Sequence, residues 1–121
     1  KTGVVDAVTQ SVVRVAENIR AKLIVTLTES GFTTRMVARF KPQQGIIAIT
    51  PYLKVANQLS LTFGCNPIVL SLENDIEKIS LDIKKLILKN KWADKGDKIV
   101  VTSGSPFGAP GSTNSIFIIE I

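Results

Sequence analysis

The sequence has no histidine and a single cysteine, Cys65, among its 121 residues. Without histidine, the chain cannot build a serine or cysteine hydrolase triad, a histidine-ligated metal site or an imidazole pH switch. One cysteine excludes an internal disulfide and a cysteine-rich zinc site, and it suits a reducing compartment, so we expect a cytoplasmic protein. No apolar run approaches the roughly 18–20 residues that cross a bilayer, so we expect no membrane partner.

Acidic side chains are few and scattered: the ten carboxylates form no pair with the spacing of a general acid and base. Phosphoryl transfer needs metal-binding carboxylates and a cationic clamp, and neither is evident. We therefore expect no catalytic residue, no metal site and no cofactor in this chain. The formal net charge of +5 comes partly from six lysines between residues 84 and 98. Trp92 is the only aromatic residue among them, and they match no nucleic-acid-binding motif, so we predict a solvated face and no nucleic-acid partner.

What the sequence does contain is an alternation of helical and strand patterns, over a length that suits one domain, residues 1–121. Apolar residues at three- and four-residue steps predict a helix over residues 4–20. The nearly unbroken apolar run at residues 23–27 is typical of a strand buried on both faces. The cycle then repeats. Further strands are predicted at 45–50, 68–72, 98–102 and 115–121, and further helices at 33–40, 51–63 and 76–92.

This order of elements predicts an α/β fold, a three-layer α/β/α sandwich around a five-stranded mixed sheet. The last connection contains no helix, so we expect strand five to pair antiparallel with strand four at an edge of the sheet. Two crossovers in one direction and one in the other give the strand order 3-2-1-4-5. In that order the loops at 28–34 and 103–114 leave neighbouring strands where the winding reverses, which is where open α/β sheets bind ligands.

Both loops are rich in glycine and hydroxyl groups. The first begins a helix, whose free N–H groups and dipole favour an anion, and its glycine allows close approach of the backbone. The alternative interpretations are an ordinary helix N-cap for the first loop and a plain hairpin connection for the second. The candidate ligand-binding residues are Thr28, Ser30, Gly31, Thr33 and Thr34 in the first loop, and Gly104, Gly108 and Gly111 in the second.

Several segments resemble the C-terminal domain of pyruvate kinase. These are AKLIVTLTESGFTTR at 21–35, ARFKP at 38–42, IIAIT at 46–50, KGDKIVVTSG at 95–104 and GSTN at 111–114. They follow the family's order and spacing over practically the whole chain. The chain does not begin with methionine, and with the resemblance this leads us to expect a piece of a longer protein. The resemblance implies that the catalytic barrel, which carries phosphoenolpyruvate, ADP, Mg²⁺ and K⁺ in glycolysis, lies outside it.

The resemblance also implies functions for the two loops. Thr28, Ser30, Gly31 and Thr33 match the loop that holds an effector phosphate. Residues 104–114, with Gly104, Gly108, Gly111, Ser112 and Thr113, match the loop that folds over the effector. The implied partners are a phosphorylated small-molecule effector, the protein's own catalytic domain and the other subunits of a homotetramer.

Two features depart from family members that fructose 1,6-bisphosphate activates. Glu29 stands where those members often have a non-acidic residue, and the closing loop lacks an arginine. Both favour a monophosphate such as AMP or a hexose or pentose phosphate. Two other functions stay open: a structural oligomerisation module with a vestigial pocket, which uses strand 115–121 and the long helix, and a stand-alone sugar-phosphate-binding domain.

Overall fold

The computed structural model describes residues 4–73, 75–105 and 109–121. The helices are α1 (Val4–Asn18), α2 (Phe32–Arg39), α3 (Leu53–Leu59) and α4 (Ile76–Lys89). The strands are β1 (Leu23–Leu27), β2 (Gly45–Thr50), β3 (Cys65–Val69), β4 (Lys98–Ser105) and β5 (Ala109–Glu120). The sheet order is β3-β2-β1-β4-β5, with β5 antiparallel to β4 and all other pairs parallel, which confirms the predicted fold. Within the described ranges, no helix has the length and apolar content needed to traverse a membrane.

The two faces of the sheet bury separate apolar clusters, because successive side chains of a strand point to opposite faces. In β1, Leu23 and Val25 pack towards α4, in a cluster that includes Ile83. Ile24 points to the other face and packs with Val37 of α2 and with residues of α1. This two-sided burial explains why the central strands read as unbroken apolar runs in the sequence.

The edge strand β3 differs from its predicted position. It begins at Cys65, three residues before the predicted start at Ile68, because it pairs with β2 from Ile46↔Cys65 onward. The strand is only partly buried, so it lacks the apolar run that marks a central strand. α3 also ends earlier than predicted, at Leu59, and Phe63 lies beyond it with 95% of its surface exposed. The predicted helix range of 51–63 is therefore too long, and Phe63 does not belong to this helix.

The β4–β5 hairpin is longer than predicted. β4 continues to Ser105 and β5 begins at Ala109, so residues 103–114 do not form one open loop. The pairing is irregular, with register shifts on either side of Gly104. Such β-bulges twist and bend a strand without ending it, and glycine favours them, which explains why the glycine-rich composition indicated a loop.

Candidate functional site

The carboxyl ends of β1 and β4 lie side by side. Thr26 is in register with Thr102, and Leu27 is in register with Ser103, while β2 flanks β1 on its other side. The segments that leave β1 and β4 therefore start next to each other, at the point where the winding of the sheet reverses. This is the position that the sequence predicted for a ligand site.

The segment after β1 folds into a tight turn at the start of α2. Gly31 has a φ of 86°, in the left-handed region that a residue with a side chain rarely adopts. Its N–H donates to the Thr28 hydroxyl oxygen at 2.8 Å, and the Phe32 N–H donates to the Ser30 hydroxyl oxygen at 3.2 Å. A hydroxyl that accepts such a bond keeps its own hydrogen, so Thr28 and Ser30 can still donate to an anion.

The predicted hydroxyl residues of this turn differ in their access to solvent. Ser30 is exposed, whereas Thr28 and Thr33 are 7% and 3% exposed. Thr34 is fully buried, and its hydroxyl lies 2.7 Å from that of Thr26 in β1. The turn thus presents Ser30 to solvent, with Thr28 at its margin, and the Thr26–Thr34 pair lies beneath it.

Arg35 is a cation at this turn that the sequence reasoning did not select. A Cβ atom built on Gly31 would lie 2.7 Å from the Arg35 Nη1, so the guanidinium covers the glycine. The signal was available in the sequence: a helical side chain leans towards the helix N-terminus, and Arg35 comes four residues after Gly31. The absence of a side chain at Gly31 is what leaves room for this guanidinium.

Neither of the two charged residues of the turn is neutralised by an ion pair. Glu29 and Arg35 are both exposed, and in the described part of the chain the only ion pair joins Lys78 to Glu73. The Arg35 guanidinium is therefore free to meet an anion, and Glu29 adds a negative charge near it.

The residues predicted in the second segment lie in the irregular part of the hairpin. Gly104 of β4 pairs with Thr113 of β5, and Gly111 and Ser112 lie within β5. Gly108 lies outside the described residues. At the base of this segment, the Thr102 hydroxyl donates to the Ser115 carbonyl oxygen at 2.8 Å, which ties the two strands together.

The described residues offer no metal-binding cluster, since no three cysteine, aspartate or glutamate side chains among them stand close enough to share an ion. The lone thiol is also not activated. Burial raises the pKa of Cys65 from 9.0 to about 11, so at neutral pH it stays protonated and is a poor nucleophile or metal ligand.

Comparison with known proteins gives a consistent result. The family described as "Pyruvate kinase, alpha/beta domain" matches residues 6–119. The chain is 31% identical over 113 residues to pyruvate kinase of Methylorubrum extorquens, covering 93% of this chain and 24% of that protein. It is 34% identical over 118 residues to pyruvate kinase of Staphylococcus epidermidis, covering 98% of this chain and 20% of that protein.

A solved structure agrees with these sequence matches. The structure of Cryptosporidium parvum pyruvate kinase in complex with ADP superposes with a TM-score of 0.85 and 32% identity. The match covers 99% of this chain and 24% of that one. The chain therefore spans a quarter or less of the length of these relatives.

Proposed function

The chain belongs to the pyruvate kinase alpha/beta domain family, and from this we propose that it is the C-terminal regulatory domain of a cytoplasmic, homotetrameric pyruvate kinase. The parent enzyme would transfer the phosphoryl group of phosphoenolpyruvate to ADP in glycolysis. Its Mg²⁺ and K⁺ would be bound by the catalytic part, because the described residues of this domain provide no cluster of acidic ligands for them.

The domain's own role would be to bind a phosphorylated effector at the turn between β1 and α2. The observation that carries this proposal is the Arg35 guanidinium over Gly31, beside two hydroxyls that can still donate. A phosphate placed there would meet the hydroxyls of Thr28 and Ser30 and the start of α2, in addition to that cation. Thr34 would support the turn through Thr26 rather than contact the ligand.

A monophosphate suits this site better than a bisphosphate. Arg35 is the cation that covers the turn, and exposed Glu29 lies on the same turn, where it would oppose dense negative charge. AMP, a pentose phosphate or a hexose phosphate would bring a single phosphate together with hydroxyls that tolerate a carboxylate neighbour. In this proposal residues 104–114, which include Gly104, Gly108, Gly111, Ser112 and Thr113, fold over the sugar.

Regulation would follow from a difference in effector affinity between quaternary states, because a ligand shifts an equilibrium only by its differential binding. Residues 109–114 are part of β5, which is an edge strand of the sheet. A contact between subunits along β5 would therefore be mechanically connected to the effector site.

Calorimetric titration of the chain tests the effector site. We expect AMP, ribose 5-phosphate or glucose 6-phosphate to bind more tightly than fructose 1,6-bisphosphate. Ser30→Ala should weaken binding about 10- to 150-fold, the range for loss of one hydrogen bond to a charged group. The matched control Ser11→Ala removes an exposed hydroxyl of α1 that bonds to the Ala7 carbonyl, and it should leave affinity unchanged. If none of the four compounds binds, or if both variants behave alike, the proposal is wrong.

The edges of the sheet favour a second candidate function, a structural oligomerisation module. Even-numbered backbone groups of β3 face β2, as the bonds from Ile46 N–H to the Gly64 carbonyl and from Leu70 N–H to the Thr50 carbonyl indicate. The nitrogen of Pro67 therefore faces the outer edge, where it has no hydrogen to donate. β5 has 12 residues and no proline after position 110, so its free edge is the better surface for pairing with a second copy.

Sedimentation velocity separates the two candidate functions. Dimerisation that depends on concentration, disappears on replacement of Ile118 by proline and does not respond to any phosphate ester would favour the structural module. A response of the dimer equilibrium to the effector, lost in Ser30→Ala, would favour the regulatory domain.

A further inference from the structure

An open cavity of about 680 Å³ lies beside the C-terminal half of α2. Its apolar wall comes from Ala38, Pro42 and Ile46, and the segment from 62 to 64, between α3 and β3, closes its other side. The volume lies within the range of roughly 300–1,000 Å³ that small-molecule sites occupy. The backbone of the turn between β1 and α2 lies at the opposite end of α2, and Arg35 borders both that turn and the cavity.

Three cationic side chains line this cavity: Arg35, Arg39 and Lys41. All three are exposed, and none forms an ion pair with a carboxylate of the described residues, where only Lys78 and Glu73 are paired. Such a group of unpaired cations around an apolar wall attracts an anion that also carries an apolar surface.

A buried acceptor on the same wall lacks a hydrogen-bond partner. The Nε2 of Gln44 donates to the Ala16 carbonyl oxygen at 3.3 Å. Its Oε1 is buried and has no partner among the described residues. An unsatisfied buried acceptor costs free energy. Because this oxygen is closed to solvent, a ligand would recover that cost only after the Gln44 amide turned towards the cavity.

Phe63 also lines the cavity and provides an aromatic surface there. Its side chain is 95% exposed, so its ring is open to a ligand. An exposed ring beside cations is the arrangement on which a nucleobase stacks while its phosphates meet the basic groups.

We propose that this cavity binds a nucleoside phosphate, with the base on Phe63 and the phosphates at Arg39 and Lys41. The Gln44 amide would turn towards the cavity, so that an amino group of the base donates to its Oε1. The site shares Arg35 with the turn between β1 and α2 but uses neither Ser30 nor Thr28, so a variant at Ser30 separates the two sites. A polyanion without a base would reach only the cations, and it would therefore bind through charge alone.

Titration of the 121-residue chain with ATP and with inorganic tripolyphosphate, followed by amide chemical shifts, tests the proposal. ATP should shift the amides of Thr62 and Gly64. The double variant Arg39→Ala/Lys41→Ala should bind ATP about tenfold more weakly, as expected for two partly screened charge-assisted contacts. Phe63→Ala should weaken ATP binding about fivefold or more through lost stacking, and should leave tripolyphosphate binding unchanged.

The control variant Arg14→Ala/Lys85→Ala removes one arginine and one lysine that are exposed elsewhere, so it lowers the net charge by the same amount. It should retain ATP binding, and so should Ser30→Ala. Equal loss in the two double variants would show a general charge effect, and loss in Ser30→Ala would place the nucleotide at the effector turn. Either result, or the absence of shifts at Thr62 and Gly64, would overturn the proposal.

Discussion

Replacement of Gly31 by alanine perturbs the turn in two ways that the structure separates. The first is backbone strain: at a φ of 86°, alanine pays roughly 1–2 kcal/mol for the left-handed conformation, and reduced freedom of the unfolded chain offsets about 0.4–1 kcal/mol of that. The second is crowding. The new Cβ would lie 2.7 Å from the Arg35 Nη1 and 3.2 Å from the Leu59 Cδ2. The guanidinium can swing away at little cost, whereas Leu59 is fully buried and must shift.

We therefore expect Gly31→Ala to lower the free energy of unfolding by about 2 kcal/mol, the sum of net strain and modest overpacking. In urea denaturation this corresponds to a midpoint lower by about 1 M, with an unchanged slope. The displaced guanidinium should also weaken phosphate binding at the turn.

Two further glycines provide matched controls. Gly96 has a φ of 94° and no heavy atom within 4 Å of its built Cβ, so Gly96→Ala isolates the strain, and we expect a loss of about 0.5–1 kcal/mol. Gly45 has no positive φ, and its built Cβ makes an ordinary contact of 3.7 Å with Leu23, so Gly45→Ala should be close to neutral. If Gly31→Ala costs no more than Gly96→Ala, the crowding argument fails, and if all three variants are equal, the strain argument fails as well.

Other predictions concern buried groups and the exposed phenylalanine. Thr34→Val should lower the free energy of unfolding in urea by about 1–3 kcal/mol, because it leaves the buried Thr26 hydroxyl without its partner. The double variant Thr26→Val/Thr34→Val should lower it by less than the sum of the two single variants. Since burial raises the pKa of Cys65 to about 11, iodoacetamide should modify it slowly at pH 8, and the unfolding free energy should fall as the pH rises from 9 towards 11, a decline that Cys65→Ala reduces. Rapid modification of the folded chain would contradict this. Phe63→Ser should change stability by less than about 0.5 kcal/mol, whereas Leu59→Ala should cost about 2–5 kcal/mol, and calorimetric melting distinguishes the two.

The strand order was predictable because simple rules connect it to the sequence. Unbroken apolar runs such as 23–27 indicate strands buried on both faces, and the lack of a helix before the last strand requires antiparallel pairing. The edges of the sheet were less predictable. β3 is half-exposed and begins with Cys65, so its composition resembles a turn, and its position depends on pairing with β2.

The position of the turn between β1 and α2 was also predictable, from glycine and hydroxyl residues after β1 and from the topology. The depth of each hydroxyl was not, because Ser30 lies in the exposed turn before α2, whereas Thr34 lies within α2 and packs against Thr26 of β1. The cavity beside α2 could not be predicted from the sequence, because it brings together Arg39 and Phe63, which are 24 positions apart. Such a juxtaposition depends on how two connections pack, and no local pattern specifies it.

The asymmetry between the two borders of the sheet limits how the molecule can grow into assemblies. A copy that added at β5 would occupy the border that has no proline after position 110, whereas Pro67 interrupts the border at β3. Edge-to-edge association would then stop at two copies and could not propagate into a fibre. Pro67 in β3 thus limits edge-to-edge pairing at one border of the sheet. The long edge strand β5 could then remain at the opposite border without leading to open-ended aggregation.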